Sequence, residues 1–370
     1  MLSVVKRNIL LNPGPATTTD RVKLAQIVPD ICPREKEFGN LMNDAAESLT
    51  EFVGRTSDYT TVLFGGSGTA AVESIISSVV GQGSLLVINN GAYGKRMYEI
   101  AAAYDLDVQE LISLSHEPLD LISLESWISN SPKKITHLAA VHCETTTGLL
   151  NDVEAIGNIC SRHDIKFIVD AMSSFAAVPL DMKQMNISFL AASSNKNLQG
   201  MAGISFVIAN KAELSGIKET KRRNYYLNLY DQYVFFKDTK QMRFTPPVQT
   251  MYALKEATLE LQEEGIENRY KRYSSSWETL IDGLKKLKLS HLVRKEFHSK
   301  IVTAVVEPDC VGYDFKMMHE YLQKHNITIY PGKTPIANTF RVSNIGDLTT
   351  EDIKLFLVHL ESYLKKINYF

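Results

Sequence analysis

The sequence predicts an α/β protein in which an open sheet, with helices between its strands, is followed by a smaller α+β unit. Three observations carry that expectation. From Thr61 to Ile208, short apolar runs alternate with amphipathic stretches of helical spacing. The apolar runs end in turns of glycine, serine, threonine and asparagine, at the strand ends where open α/β sheets place their ligands. Past Gly265 the order changes to a compact mixture of helices and short strands.

The stretch Met1 to Pro13 carries Lys6 and Arg7 in an apolar run that Pro13 breaks, without a cleavage site of small residues. It is read as structure with no targeting role. Asn12 to Thr19 is an extended turn, because Pro13 and Pro15 fix their own φ and push the residue before them out of the helical region. Thr19 or Asp20 caps a helix toward Ile27, Pro29 to Phe38 reads as a solvated loop, and Leu41, Ala45, Leu49 and Val53 give Asn40 to Val53 a helical period.

Thr61 to Phe64 is a strand that runs into Gly65-Gly66-Ser67-Gly68-Thr69 and an amphipathic helix from Ala70 to Val80. A glycine-rich turn at a helix N-terminus presents free N–H groups and a partial positive charge, which suits phosphate. The loop lacks the Gly-Lys-Ser/Thr ending of a nucleotide P-loop, and Ala71 stands where a dinucleotide fingerprint has its last glycine. A generic tight turn is the plain reading, and the hydroxyls of Ser67 and Thr69 favour one phosphate monoester. Ser84 to Ile88 is the next strand, ending in Asn89 to Gly94, where Tyr93 between small neighbours is either partly buried or a platform for a planar ring.

A helix near Gly94 to Tyr104 and a strand from Ile135 to His142 lead to Cys143-Glu144-Thr145-Thr146-Thr147-Gly148. Its three threonines are hydroxyl donors or turn formers. Val153 to His163 is a helix, and Ile165 to Asp170 a strand that finishes on a carboxylate. Ile187 to Ala192 is a buried strand followed by Ser193-Ser194-Asn195-Lys196. A lysine in a small polar turn at a strand end suits a Schiff base with a carbonyl cofactor. Asp170, one helix and one strand earlier, is costly after an apolar strand unless it meets a partner. A phosphate cradle, an aromatic platform, hydroxyls, a carboxylate and an amine at the ends of one sheet suit pyridoxal phosphate, whose ring nitrogen the carboxylate keeps protonated.

Ile204 to Ile208 is a strand, and the basic, tyrosine-rich stretch Lys218 to Asp231 reads as a solvated face or subunit rim. Val248 to Glu264 is a long helix at the domain boundary, which divides the chain into an N-terminal arm (1–18), a large domain (19–250) and a small domain (251–370). The latter reads as helices at Trp277 to Lys286, Phe315 to Lys324 and Glu351 to Ile367, with strands at Ile301 to Val306, Ile327 to Tyr330 and Thr339 to Val342. Arg341 lies within an apolar strand and needs an anion, either a structural carboxylate or a substrate head group.

The chain's 370 residues are 44% hydrophobic and 22% charged, ordinary globular usage, and the net charge of −2 gives no field for nucleic acid or an anionic membrane. Cys32, Cys143, Cys160 and Cys310 have no metal-ligand spacing, and a reducing, cytoplasmic setting is the simplest account. No window approaches the roughly 18 apolar residues of a membrane span.

Leu11 to Pro15, Gly66 to Gly68, Asn90 to Gly94, Glu144 to Gly148, Val169 to Phe175, Asn195-Lys196 and Phe340 to Gly346 together resemble fold-type I pyridoxal phosphate enzymes of the alanine/serine–glyoxylate aminotransferase group. Within that group, the Asp170 to Phe175 and Arg341 to Gly346 segments are similar to those of members that pass the amino group of a phosphonate amine to pyruvate. The resemblance spans essentially the whole chain. It implies a large domain with a mainly parallel seven-stranded sheet, a small C-terminal α+β domain, a homodimer with sites at the interface, and small-molecule substrates. It also implies that Lys196 forms the Schiff base and that Asp170 meets the pyridine nitrogen. Tyr93 would stack on the ring, where relatives often carry tryptophan, and Ser67, Gly68 and Thr69 would hold the phosphate with Thr245 of the other subunit. Thr145 or Thr146 would contact the ring hydroxyl, Asn195 would line the cofactor, and Arg341 would bind the phosphonate and then the pyruvate carboxylate. The implied reaction is ping-pong transamination at Lys196, with no metal.

The nearest competing reading is an alanine- or serine–glyoxylate aminotransferase acting on another small amine. A nicotinamide-dependent dehydrogenase lacks its fingerprint loop, a cysteine desulfurase lacks a cysteine in a recognisable mobile loop, and a non-catalytic binding protein would lack imine chemistry.

Overall fold

The computed structural model describes residues 5–334 and 336–370, and the reading of Met1 to Val4 lies outside them. Strand β1 (Ile9–Leu10) is followed by α1 (Asp20–Leu24), which the Thr19 hydroxyl caps by accepting from Val22 N, and by α2 (Lys36–Glu51). The alternation then runs β2 (Tyr59–Gly65), α3 (Gly68–Val79), β3 (Ser84–Asn89), α4 (Ala92–Ala103), β4 (Val108–Ile112), α5 (Leu121–Asn130) and β5 (Ile135–Val141). A short hairpin, β6 (Cys143–Glu144) and β7 (Leu149–Leu150), leads to α6 (Val153–Arg162), β8 (Lys166–Asp170), β9 (Ile187–Ser193) and β10 (Ile204–Asn210).

The seven-stranded sheet has the order β2-β10-β9-β8-β5-β3-β4; β10 is antiparallel to both neighbours and the remaining pairings are parallel. Strand β4 is the one that the residues alone do not announce. It lies at the sheet edge and buries only Leu111, so Gln109 and Glu110 are tolerated and the apolar signal is weak.

Helices α7 (Lys211–Gly216), α8 (Leu229–Thr239) and α9 (Val248–Glu264) follow. Successive strand residues face opposite sides of a sheet, so Val62 and Leu63 enter different cores. Leu63, Leu138, Val169 and Phe206 pack with Met42 and Leu49 of α2 and Leu254 and Leu261 of α9. Val62, Val87, Ile168 and Val207 pack with Ile75 and Ile76 of α3 and Met97 of α4.

The second unit contains α10 (Ile266–Lys286), β11 (Val302–Val306), α11 (Phe315–Lys324), β12 (Ile327–Thr328), β13 (Tyr330–Lys333), β14 (Asn338–Ser343) and α12 (Thr350–Lys366). Its antiparallel sheet β11-β14-β13 sets Val305, Phe340 and Val342 against Leu280 and Leu284 of α10 and Phe356 and Leu360 of α12. An expected division after residue 250 falls in the first turn of α9, whose Met251, Leu254 and Leu261 are buried in the core of the large sheet. The packing passes to the other core at Gly265, which joins α9 to α10 at φ +79°. Strand β1 pairs in parallel with β12, so the N-terminal arm places Ile9 and Leu11 in the small unit's core.

Candidate active site

Strand β3 is followed outward by β4, whereas β5, β8 and β9 lie on its other side, and such a reversal opens a crevice at the carboxyl ends of parallel strands. The segments leaving β2, β3, β8 and β9 meet there around a cavity of about 510 Å³, lined among others by Ser67, Gly68, Thr69, Tyr93, Asp170 and Lys196. Asn195 lines it too.

At one end, Ser67 is the N-cap of α3 and makes no side-chain capping bond. The N–H groups of this turn and the hydroxyls of Ser67 and Thr69 therefore form a cradle for an anion. A Cβ on Gly68 would come within 2.5 Å of Met172 Sδ, so a larger residue there would push the Met172 side chain aside in the cavity wall.

At the other end, Lys196 Nζ donates to Ser173 Oγ at 2.9 Å and lies 5.7 Å from the centre of the Tyr93 ring. Burial lowers the pKa of Lys196, and Asp170 opposes the shift. The backbone around it is fixed from two directions. Asn195 O accepts from Ala16 N at 2.9 Å, and a Cβ on Gly14 would lie 3.1 Å from Lys196 Cγ, so the N-terminal arm runs along the lysine stem.

Asp170, at the end of β8, is 5% exposed, and its Oδ1 accepts from Met172 N at 2.9 Å. Among the described residues no cation lies within ion-pair distance of it, and burial raises its pKa, with the Met172 N–H opposing. A carboxylate so placed fits a cationic ligand atom, as a protonated pyridine nitrogen would be. With the anion cradle, the ring of Tyr93 and the amine of Lys196, the donor set matches pyridoxal phosphate group by group.

The two candidate threonines face different partners. Thr145 Oγ1 is 2.5 Å from Ser173 Oγ, beside the lysine, whereas Thr146 Oγ1 donates to Glu144 at 2.6 Å. Arg341, on β14, reaches toward the same strand ends: Nε and Nη2 donate to Pro331 O at 3.2 and 3.0 Å, and Nη1 to Thr145 O at 3.4 Å. Its guanidinium lies 4.7 Å from the Tyr330 ring centre. Among the described residues no carboxylate is within ion-pair distance, so of the two partners expected for Arg341 the structural carboxylate is absent. Burial lowers its pKa, opposed first by Tyr93. Thr245 is exposed in the loop before α9, outside this chain's cavity.

Three residues escaped the sequence reading. Arg96 lines the cavity with its guanidinium 4.9 Å from the Tyr93 ring centre; its signal was the three-residue spacing from Tyr93 on one helix face. Ser173 bonds Lys196, and it lies in the run after Asp170. Glu144 is wholly buried and accepts from Thr146 N at 3.0 Å and Tyr93 N at 3.4 Å, a capping role supplied from a distant strand that no local pattern reveals.

The model of the family Aminotransferase class-V matches residues 25–356. A 2-aminoethylphosphonate–pyruvate transaminase of Bacillus mycoides is 38% identical over 349 residues, covering 93% of this chain and 94% of that protein. A bifunctional phosphonoacetaldehyde hydrolase/aminoethylphosphonate transaminase of Clostridioides difficile is also 38% identical, over 97% of this chain, but the chain spans only 56% of that protein's length. Among solved structures, an alanine–glyoxylate aminotransferase of Nostoc sp. superposes with a TM-score of 0.90 at 27% identity, covering 98% of this chain and 97% of that one. With the family model covering most of the chain and relatives of this identity matched along nearly all of it, the chain belongs to the class-V aminotransferases.

Proposed function

We propose that this aminotransferase moves the amino group of 2-aminoethylphosphonate to pyruvate, giving phosphonoacetaldehyde and L-alanine, with pyridoxal 5′-phosphate as its cofactor. The observation that carries the substrate class is Arg341, a guanidinium with no carboxylate partner among the described residues that shares Thr145 with the lysine site. A phosphonate, and then the carboxylate of pyruvate, would complete it through paired N–H donors. The 2-aminoethylphosphonate–pyruvate transaminases among the relatives support this donor over the amino acids of the glyoxylate enzymes.

Pyridoxal phosphate, when bound, supplies an aldehyde that takes up the amine and a ring that accepts the electron pair of the neighbouring C–H bond. The geometry supports the following parts for the protein. Ser67, Gly68 and Thr69 would hold the phosphate at the N-terminus of α3, Asp170 would keep a proton on the ring nitrogen, and Tyr93 would cover the ring. Thr145 would serve the ring hydroxyl, since the Thr146 hydroxyl is engaged by Glu144. Lys196, kept toward its neutral form by burial, would take the proton from the substrate carbon beside nitrogen and give it back on the other side of that nitrogen. A homodimer in a reducing, cytoplasmic setting completes the reading, with Thr245 of each copy serving the phosphate of the other site.

The visible spectrum of the purified protein with pyridoxal phosphate tests this. A yellow band that bleaches with 2-aminoethylphosphonate, and not with alkylamines lacking the phosphonate, is expected. Bleaching by alanine or serine alone would move the donor to the glyoxylate group, and absence of any band would remove the cofactor.

A further inference from the structure

The proton transfer just described needs a lysine nitrogen that is neutral, fixed and has its lone pair turned to the substrate. Burial helps with the first requirement; the second and third need a specific contact. Ser173 Oγ, 2.9 Å from Nζ, is the hydrogen-bond partner that the structure gives this amine. The Ser173 backbone is itself tied to the lysine turn, because Asn197 Nδ2 donates to Ser173 O at 2.8 Å and Asn197 is fully buried. The residue directly after the lysine thus sets where the serine stands.

Counting protons shows what this contact leaves free at the amine. When Nζ donates to Ser173, the serine oxygen still pairs with Thr145 Oγ1 at 2.5 Å, a bond in which either hydroxyl can be the donor. Arg341 Nη1 engages the backbone oxygen of Thr145 and not its hydroxyl, so that hydroxyl stays available to Ser173. A neutral amine that gives one N–H to Ser173 keeps its lone pair on another side of the tetrahedral nitrogen. The reverse order, with Ser173 donating to Nζ, would occupy that lone pair.

We propose that Ser173 is a positioning residue for the proton transfer at Lys196: its hydroxyl oxygen, held beside Thr145, takes one N–H of the amine and leaves the lone pair free. This rests on the aminotransferase reading. In the step itself the C–H bond beside the substrate amine breaks, its proton forms a third N–H bond on Nζ, and its electron pair goes to the acceptor that the cofactor supplies. The ammonium so formed keeps the same bond to Ser173, now charge-assisted, so the nitrogen does not move between taking the proton and returning it.

The test is single-turnover bleaching of the cofactor-loaded protein by 2-aminoethylphosphonate, with and without deuterium at the carbon bearing the amine. For Ser173→Ala, the limiting rate falls roughly 10- to 100-fold while the half-saturating concentration stays unchanged, and the deuterium effect increases. Ser174→Ala is the control: that hydroxyl pairs with His142 Nδ1 at 2.9 Å, and its loss leaves the rate unchanged. If Ser173→Ala does not fold, Ser173→Cys, with a weaker acceptor, gives a loss of the same kind. Wild-type rates in these serine variants, or equal losses of rate and affinity at both serines, would overturn the proposal. A wild-type protein that binds the cofactor and does not bleach would instead remove the aminotransferase reading, and the proposal with it.

Discussion

Asp170 is a carboxylate placed where carboxylates are expensive, and that expense identifies its partner. Replacing it by Asn keeps an acceptor for the Met172 N–H but removes the charge that would hold a proton on the ring nitrogen. We expect Asp170→Asn to lower kcat by at least about 100-fold, with the visible band still formed, as steady-state kinetics and a spectrum would show; unchanged kcat would separate Asp170 from the chemistry. Asp170, Lys196 and Arg341 were legible because each is an ionisable side chain in or beside an apolar run, which is conspicuous in one dimension. Ser173 and Glu144 were not. A serine among serines and a glutamate among threonines carry no signal until the hairpin β6–β7 and the turn after β8 bring them to the amine and to Tyr93.

The same contrast holds for elements. The strands from β2 to β10 that are buried on both faces showed as apolar runs, while edge strand β4 did not, because burying one residue requires little apolar sequence. Helix α4 shows what a linear reading omits. Its N-cap Gly91 offers no side chain, and the Glu144 carboxylate takes the first-turn N–H of Tyr93 in its place. A Cβ at Gly91 would overlap that carboxylate. Gly91→Ala is therefore expected to cost about 1–3 kcal/mol by urea unfolding, and to weaken retention of the cofactor because Tyr93 shifts with its helix. A neutral outcome would mean that Glu144 can move without penalty.

At the scale of the whole molecule, three histidines were set inside as neutral groups. Burial pushes His137 and His142 down to about 4 and His298 down to about 3, with Lys166 adding to the first and His291 to the last. An unfolded histidine takes up its proton near pH 6.5, so between there and about pH 4 the unfolded chain binds more protons than the folded one. Their contribution to stability is complete above about pH 6.5 and is lost as pH falls through that window. His298→Gln isolates one of them: on going from pH 7.5 to pH 5 the wild type should lose about 2 kcal/mol more than the variant in urea unfolding. Parallel slopes would show that His298 is not held neutral. The sequence offered no warning of this, since nothing local distinguishes His298, whose ring centre lies 4.7 Å from that of Trp277 at a tilt of 34°, from a surface histidine.

The N-terminal arm ties these scales together. It pairs with β12, anchors Arg7 to Asp352, 345 residues away along the chain, and then runs over the stem of Lys196. The arm thus has no place to dock until β12 and α12, far later in the chain, have been made. Long-range pairings of this kind close late in folding. A chain that has made the large sheet but not yet β12 and α12 would still lack the wall behind its lysine, so that catalytic competence would wait on those two elements.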